Sequence, residues 1–130
     1  EDTIGVKGIV TIPHLGASTE ESEDNCAIMA ANELIDYLEN GNIKNSVNFP
    51  NVEMPKSGDV RICVLHANIP AVISGITTAL SEAGANIENM INKSKGDYAY
   101  AIINTDHPVT PEIVAELEAI SEVISVRVIK

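Results

Sequence analysis

A chain of 130 residues with 45% hydrophobic and 21% charged side chains has room for one packed domain and a flanking piece. Its 19 acidic against 8 basic residues, a formal charge of -11, repel nucleic-acid phosphates and anionic membranes, and one Phe, three Tyr and no Trp provide no platform for stacked bases. No run approaches the roughly 20 consecutive apolar residues of a membrane span, and Glu1-Asp2-Thr3 lacks the basic and apolar regions of a signal peptide. The expectation is a cytoplasmic protein with no nucleic-acid or membrane partner. The start at Glu1 rather than Met reads as a piece processed or excised from something longer. Cys26 and Cys63 each lie in an apolar-periodic segment, away from other residues at metal-ligand spacing, so both are expected reduced and buried, with no metal.

In chain order, Gly8, Ile9, Val10, Thr11 and Ile12 form a short β-branched run stopped by Pro13, the pattern of a strand. Ser18-Thr19-Glu20-Glu21 then reads as a capping box, Ser18 with Glu21, opening an amphipathic helix. Its apolar positions are Ile28, Ala31, Ile35 and Leu38, and Gly41 closes it. Residues 42–58, with prolines at 50 and 55, read as an extended tail and linker. The charge shifts there too: residues 1–58 carry ten acids and three bases, residues 59–130 nine and five. A boundary at Ser57-Gly58 fits both signals.

From Asp59 the pattern is dense. Val60, Ile62 and Val64 alternate with Arg61, Cys63 and Leu65 as a strand buried on at least one face. A helix follows, with Pro70 in its first turn, an apolar face of Val72, Ile73, Ile76, Leu80 and Ala83, and Gly84 at its close. A second strand over residues 87–94 turns back at Lys95-Gly96-Asp97 into a third over 98–105. Thr110-Pro111-Glu112 caps another helix with Ile113, Val114, Leu117 and Ile120 on its stripe, and residues 123–129 make the last strand. The order βαββαβ predicts an α+β, ferredoxin-like domain: a four-stranded antiparallel sheet with both helices on one face, the other face bare of helices and the edges open to a partner subunit.

Chemistry concentrates where the first of these strands meets its helix, at His66-Ala67-Asn68-Ile69-Pro70-Ala71-Val72. His66 offers a tunable donor or acceptor and Asn68 an amide, and the helix's first amides suit a carboxylate. Two plainer readings stand beside this: Asn68 as a simple helix cap and His66 as an ordinary strand-end residue. Gly84-Ala85-Asn86-Ile87 adds a second Asn, which also suits a turn. His107, before Pro108, is expected to be solvated.

The pattern His66-x-Asn68-x-Pro70-x-Val72 followed by Gly84-Ala85-Asn86-Ile87 resembles the ACT domain of bacterial D-3-phosphoglycerate dehydrogenases, over residues 59–130. That resemblance implies a regulatory domain binding L-serine or a similar small amino acid, with His66, Asn68 and the backbone at Ala71 and Val72 contributed by one subunit and Asn86 by its neighbour in a homo-oligomer. One departure is Ala71, where the family usually has Gly. Upstream, Thr11-Ile12-Pro13-His14-Leu15-Gly16-Ala17-Ser18-Thr19 resembles the run that ends the nucleotide-binding domain of D-2-hydroxyacid dehydrogenases. The likeness implies His14 as catalytic acid/base and Gly16 near the nicotinamide of NAD in a longer parent enzyme. Residues 45–50 resemble the same family's return path to its substrate domain. Residues 1–58 are then a remnant of the catalytic domains plus linker. With no Gly-x-Gly-x-x-Gly run to cradle a dinucleotide, the piece alone is expected to bind no NAD and to be inactive. The alternative is an oligomerisation module that binds no effector.

Overall fold

The computed structural model describes residues 4–16 and 18–130. Contacts divide the chain into two units, Glu1–Asn32 and Glu33–Lys130, with the division inside the first helix.

In the first unit the strand expected over residues 8–12 does not form. Residues 4–16 contain no helix or strand, and Val10 is 88% exposed. A β-branched run becomes a strand only against a ladder partner, and none pairs with it among the described residues. Helix α1 spans Glu20–Asn40. Its cap sits one residue later than the capping box predicts: the Ser22 amide donates to Thr19 Oγ1 at 3.2 Å, and the Thr19 hydroxyl donates to Ser22 Oγ at 2.8 Å. The predicted stripe is present in spacing yet bare, since Ile28, Ile35 and Leu38 are exposed and no residue of α1 is buried. Cys26 rides on this helix and is exposed, contrary to expectation; Cys63 is buried as expected.

In the second unit the predicted order holds: β1 (Val60–Ala67), α2 (Val72–Glu82), β2 (Ile87–Lys95), β3 (Tyr98–Thr105), α3 (Pro111–Glu118) and β4 (Val123–Ile129). The sheet is antiparallel in the order β2-β3-β1-β4. The main core lies under the two helices, where Ile62, Val64, Ala101 and Ile103 meet Val72, Ile76 and Leu80 of α2 and Ile113 and Leu117 of α3. Pro70 lies in a turn two residues before α2 rather than inside its first turn. Gly84, at φ +76°, closes the helix: its amide reaches the Ser81 carbonyl, and the Ala85 amide reaches that of Leu80.

The opposite face carries no helix of this domain, but it is covered. Residues 42–57, expected as an extended linker, fold back as a strap. Ile43 and Val52 pair through two backbone hydrogen bonds of 2.8 and 2.9 Å. Both are buried, on a second core with Cys63, Tyr100 and Ile102. Arg61 pins the strap from below, donating from Nε to Asn104 Oδ1 at 2.9 Å and from its two terminal nitrogens to the Asn40 and Pro55 carbonyls at 2.7 Å each. Lys93 and Lys95 on β2 donate to the Asn51 and Ser46 carbonyls. This strap explains why β1 is buried on both faces, and why the compact unit begins upstream of residue 58. Around the end of α1, Tyr100 donates to the Gly41 carbonyl and Arg127 to that of Tyr37, whose ring lies under the Arg127 guanidinium. Positive charge at a helix C-terminus is electrostatically favourable.

Candidate functional site: the loop between β1 and α2

His66 is the penultimate residue of β1, on the helix-covered side of the sheet, beside a slip in the β1–β4 register whose extra residue is Ile124 of β4; the pairing of β1 with β3 runs on unbroken. The imidazole is buried, 2% exposed, with both nitrogens engaged: Nδ1 at 2.8 Å from the Ala67 carbonyl oxygen and Nε2 at 3.0 Å from the Asn92 amide oxygen. A carbonyl can only accept, so Nδ1 carries a proton. Within the chain His66 therefore braces the loop from beneath rather than projecting into solvent.

Asn68 is exposed and anchored at both ends of its own residue. Its backbone amide donates to the Asp97 carbonyl at 2.9 Å and its Nδ2 to the Gly96 carbonyl at 3.0 Å. Since the Gly96 oxygen only accepts, the amide orientation is unambiguous and Asn68 Oδ1 is the free end, an acceptor. The two carbonyls belong to the tight β2–β3 turn, in which Gly96 adopts φ +60°, the sign a type II′ hairpin needs at its first central residue.

Ala71 stands immediately before α2 in the left-handed conformation, φ 72° and ψ -11°. That region disfavours a Cβ, so the residue after Pro70 is a glycine position occupied by alanine. No side chain caps the helix, and its first backbone bond runs from the Gly75 amide to the Ala71 carbonyl. The amides of Val72, Ile73 and Ser74 thus form the open N-terminal end of an 11-residue helix. The Val72 side chain points into the core, leaving only its backbone for a ligand.

Asn86 is not brought to this loop within one chain. It precedes β2, next to the Ile87–Thr105 pair, whereas His66 pairs with Ala99. Six residues of β3 separate those positions, about 20 Å at roughly 3.3 Å per residue. Asn86 instead meets Asp106: its amide and Nδ2 donate to the two carboxylate oxygens at 3.2 and 3.3 Å. His107 Nδ1 lies 2.6 Å from Asp106 Oδ1. The hydrogen bond and the imidazole charge hold the Asp106 carboxyl below the usual range, and the carboxylate pushes the His107 imidazole above it. Sequence reasoning missed Asn92 and Asp106. Asn92 carried a signal, since it follows Met90 in the helix-facing phase of β2; Asp106 carried none, because its role depends on being opposite Asn86.

His14 and Gly16 lie in the irregular stretch of the first unit, both exposed. Among the described residues of that unit no strand leads through a glycine-rich turn into a helix.

The βαββαβ order and its antiparallel sheet define a ferredoxin-like α+β class of domain, and residues 61–122 match the ACT domain family. Those residues are an ACT domain. The chain is similar to the C-terminal, ACT-bearing part of D-3-phosphoglycerate dehydrogenases. It is 30% identical over 123 residues to that enzyme from Escherichia coli (strain K12), covering 93% of this chain and 30% of that protein. It is 32% identical over 136 residues to D-3-phosphoglycerate dehydrogenase 1 of Saccharomyces cerevisiae, covering 98% of this chain and 29% of that protein. The chain spans about three-tenths of the length of these curated relatives. Among solved structures, the ACT domain from GTP pyrophosphokinase of Chlorobium tepidum aligns with a TM-score of 0.48 and 15% identity, over 54% of this chain and 95% of that one. No described helix is long and apolar enough to cross a membrane.

Proposed function

We propose that residues 59–130 are the effector-sensing module of a D-3-phosphoglycerate dehydrogenase, and that the loop from His66 to Val72 binds a small amino acid, L-serine, between two subunits. The observation that carries this reading is an exposed Asn68 with Oδ1 free, beside the uncapped end of α2. The two ends of a zwitterion are matched: the ammonium by Asn68 Oδ1, the carboxylate by the backbone amides from Val72 onward. His66 holds the loop in place, and Asn86 comes from the neighbouring subunit of a homo-oligomer. The parent enzyme, cytoplasmic, oxidises 3-phosphoglycerate to 3-phosphohydroxypyruvate with NAD, the first step of serine biosynthesis. In that longer protein His14 is the acid/base and Gly16 lies near the nicotinamide, while the cradle for the dinucleotide comes from residues other than those of this chain. Serine favours one arrangement of paired ACT domains, which the strap and α1 pass on; coupling of this kind is typically about 1–3 kcal/mol.

Thermal unfolding of this chain with rising L-serine, glycine and D-serine tests the reading. A ligand at about a hundred times its dissociation constant adds roughly 2.7 kcal/mol. The expected result is a shift selective for L-serine that Asn68→Ala and Asn86→Ala both diminish; unchanged affinity in both variants sinks the assignment. The second reading, an assembly module without an effector, draws on the Ala71 methyl in the loop and on the occupied His66 nitrogens. Self-association with no shift for any amino acid selects it.

A further inference from the structure

Asn86 and Asp106 clasp each other more completely than a turn requires. The Asn86 amide donates to Asp106 Oδ1, the Asn86 Nδ2 to Asp106 Oδ2, and the Asp106 amide to the Asn86 carbonyl at 3.3 Å, so that backbone and side chains are joined across one pair. The pair extends the β2–β3 ladder one step beyond Ile87 and Thr105. An ionised carboxylate offers acceptors only, so the atom of the Asn86 side chain facing it is the nitrogen, and the exposed end is Oδ1. His107 secures the other partner, donating from Nδ1 to Asp106 Oδ1.

We propose that Asp106 is a positioning residue for the effector site: by taking the Asn86 nitrogen, it fixes that side chain with its carbonyl oxygen outward, toward the neighbouring subunit's ligand. This rests on the effector reading above and adds to it a statement of polarity. The ligand group that meets Asn86 must be a donor, and with the Asp106 charge directly behind the amide a cationic donor is favoured over any anion. Asn68 is set the same way by the Gly96 carbonyl. Both asparagines therefore read the ammonium end of an amino acid, leaving the carboxylate to the start of α2.

The test uses the whole 130-residue chain. In ¹⁵N–¹H spectra the Asn86 side-chain NH₂ pair reports the clasp without any ligand, and calorimetric titration with L-serine reports its consequence. In Asp106→Ala the NH₂ signals move to the position of a solvated amide while the rest of the spectrum stays folded, and L-serine binds about two- to tenfold more weakly, the cost of ordering one loose side chain. Asp106→Glu, which keeps the charge and acceptors, restores part of both. Unmoved NH₂ signals in Asp106→Ala overturn the clasp, and unchanged L-serine affinity there, against a wild type that binds, overturns the positioning role. A wild type that shows the NH₂ signature yet binds no amino acid overturns the effector reading and this role with it.

Discussion

Arg61 and Asn104 face each other on adjacent strands of the sheet, and the Arg61 Nε–H donates to Asn104 Oδ1 across 2.9 Å in a site closed to solvent. The other arms of the guanidinium carry the last carbonyl of α1, at Asn40, and the Pro55 carbonyl of the strap. Asn104 is itself tied to the strap through Ser57 Oγ at 2.9 Å. Burial lowers the Arg61 pKa from its ordinary value, yet arginine keeps its proton and answers burial with hydrogen bonds.

Arg61→Ala should therefore cost about 3 kcal/mol or more, because it empties a buried volume and strips partners from two carbonyls and an amide at once. Arg61→Lys should recover only a small part, since an ammonium cannot reach three acceptors in a fork. Urea unfolding followed by circular dichroism checks both; a midpoint within error of wild type for Arg61→Ala contradicts the assigned role of this residue.

Ala71→Gly should raise stability by about 1 kcal/mol. Alanine at φ 72° is held in a region that costs a non-glycine residue roughly 1–2 kcal/mol, and glycine removes that cost while giving back some chain entropy to the unfolded state. If the methyl also crowds the effector, L-serine affinity rises in the same variant. The melting temperature with and without L-serine separates the two effects, and a lowered melting temperature contradicts the strain argument.

The Asp106–His107 pair makes a pH dependence with a defined sign. His107, raised in the folded state, contributes stability that is full below its unfolded value near 6.5 and is lost as pH rises through the folded one. Asp106, lowered, contributes stability that is full above its unfolded value near 3.9 and is lost as pH falls through the folded one. The pair is thus most favourable from roughly pH 4 to 6.5. Titration of the His107 ring by NMR should give a midpoint above the ordinary range that returns to it in Asp106→Asn; an identical midpoint in both proteins rules out the pairing.

The two cysteines should react in sequence. Cys26 is exposed on α1, whereas Cys63 lies under the strap with its thiol pKa pushed up by burial, so its thiolate is scarce as well as shielded. A thiol reagent at neutral pH is expected to modify Cys26 promptly and Cys63 only on unfolding. Mass spectrometry of partly labelled protein resolves the order, and early labelling at Cys63 means the strap opens readily.

Much of the domain was legible along the chain. The period-two run over β1, the spacing of Val72, Ile76 and Leu80, the Gly84 closure and the Gly96 turn are local patterns that each specify an element, and together they specify βαββαβ. Of the candidate site, the loop His66–Val72 could be located because a strand end, a proline and a helix start are all local features. The upstream prediction failed for the complementary reason. Ile9, Val10 and Ile12 have strand propensity, but a strand needs a partner that no short window of sequence reveals.

Whatever depends on contacts between distant residues was decided by the tertiary structure alone. The strap looked like a linker because Ile43 and Val52 are isolated apolar residues among polar ones; they bury themselves only because Tyr100, Cys63 and Ile102 present a second apolar face. Asn68 and Asn86 were visible as polar residues at turns, whereas the outward direction of their oxygens follows from Gly96 and Asp106, 28 and 20 residues further along. The sequence by itself thus determined the elements and the place of the candidate site, since backbone propensity and periodicity act over a few residues. The covering of the second sheet face and the side-chain hydrogen bonds of the two asparagines came from packing and pairing, which join atoms by position in space.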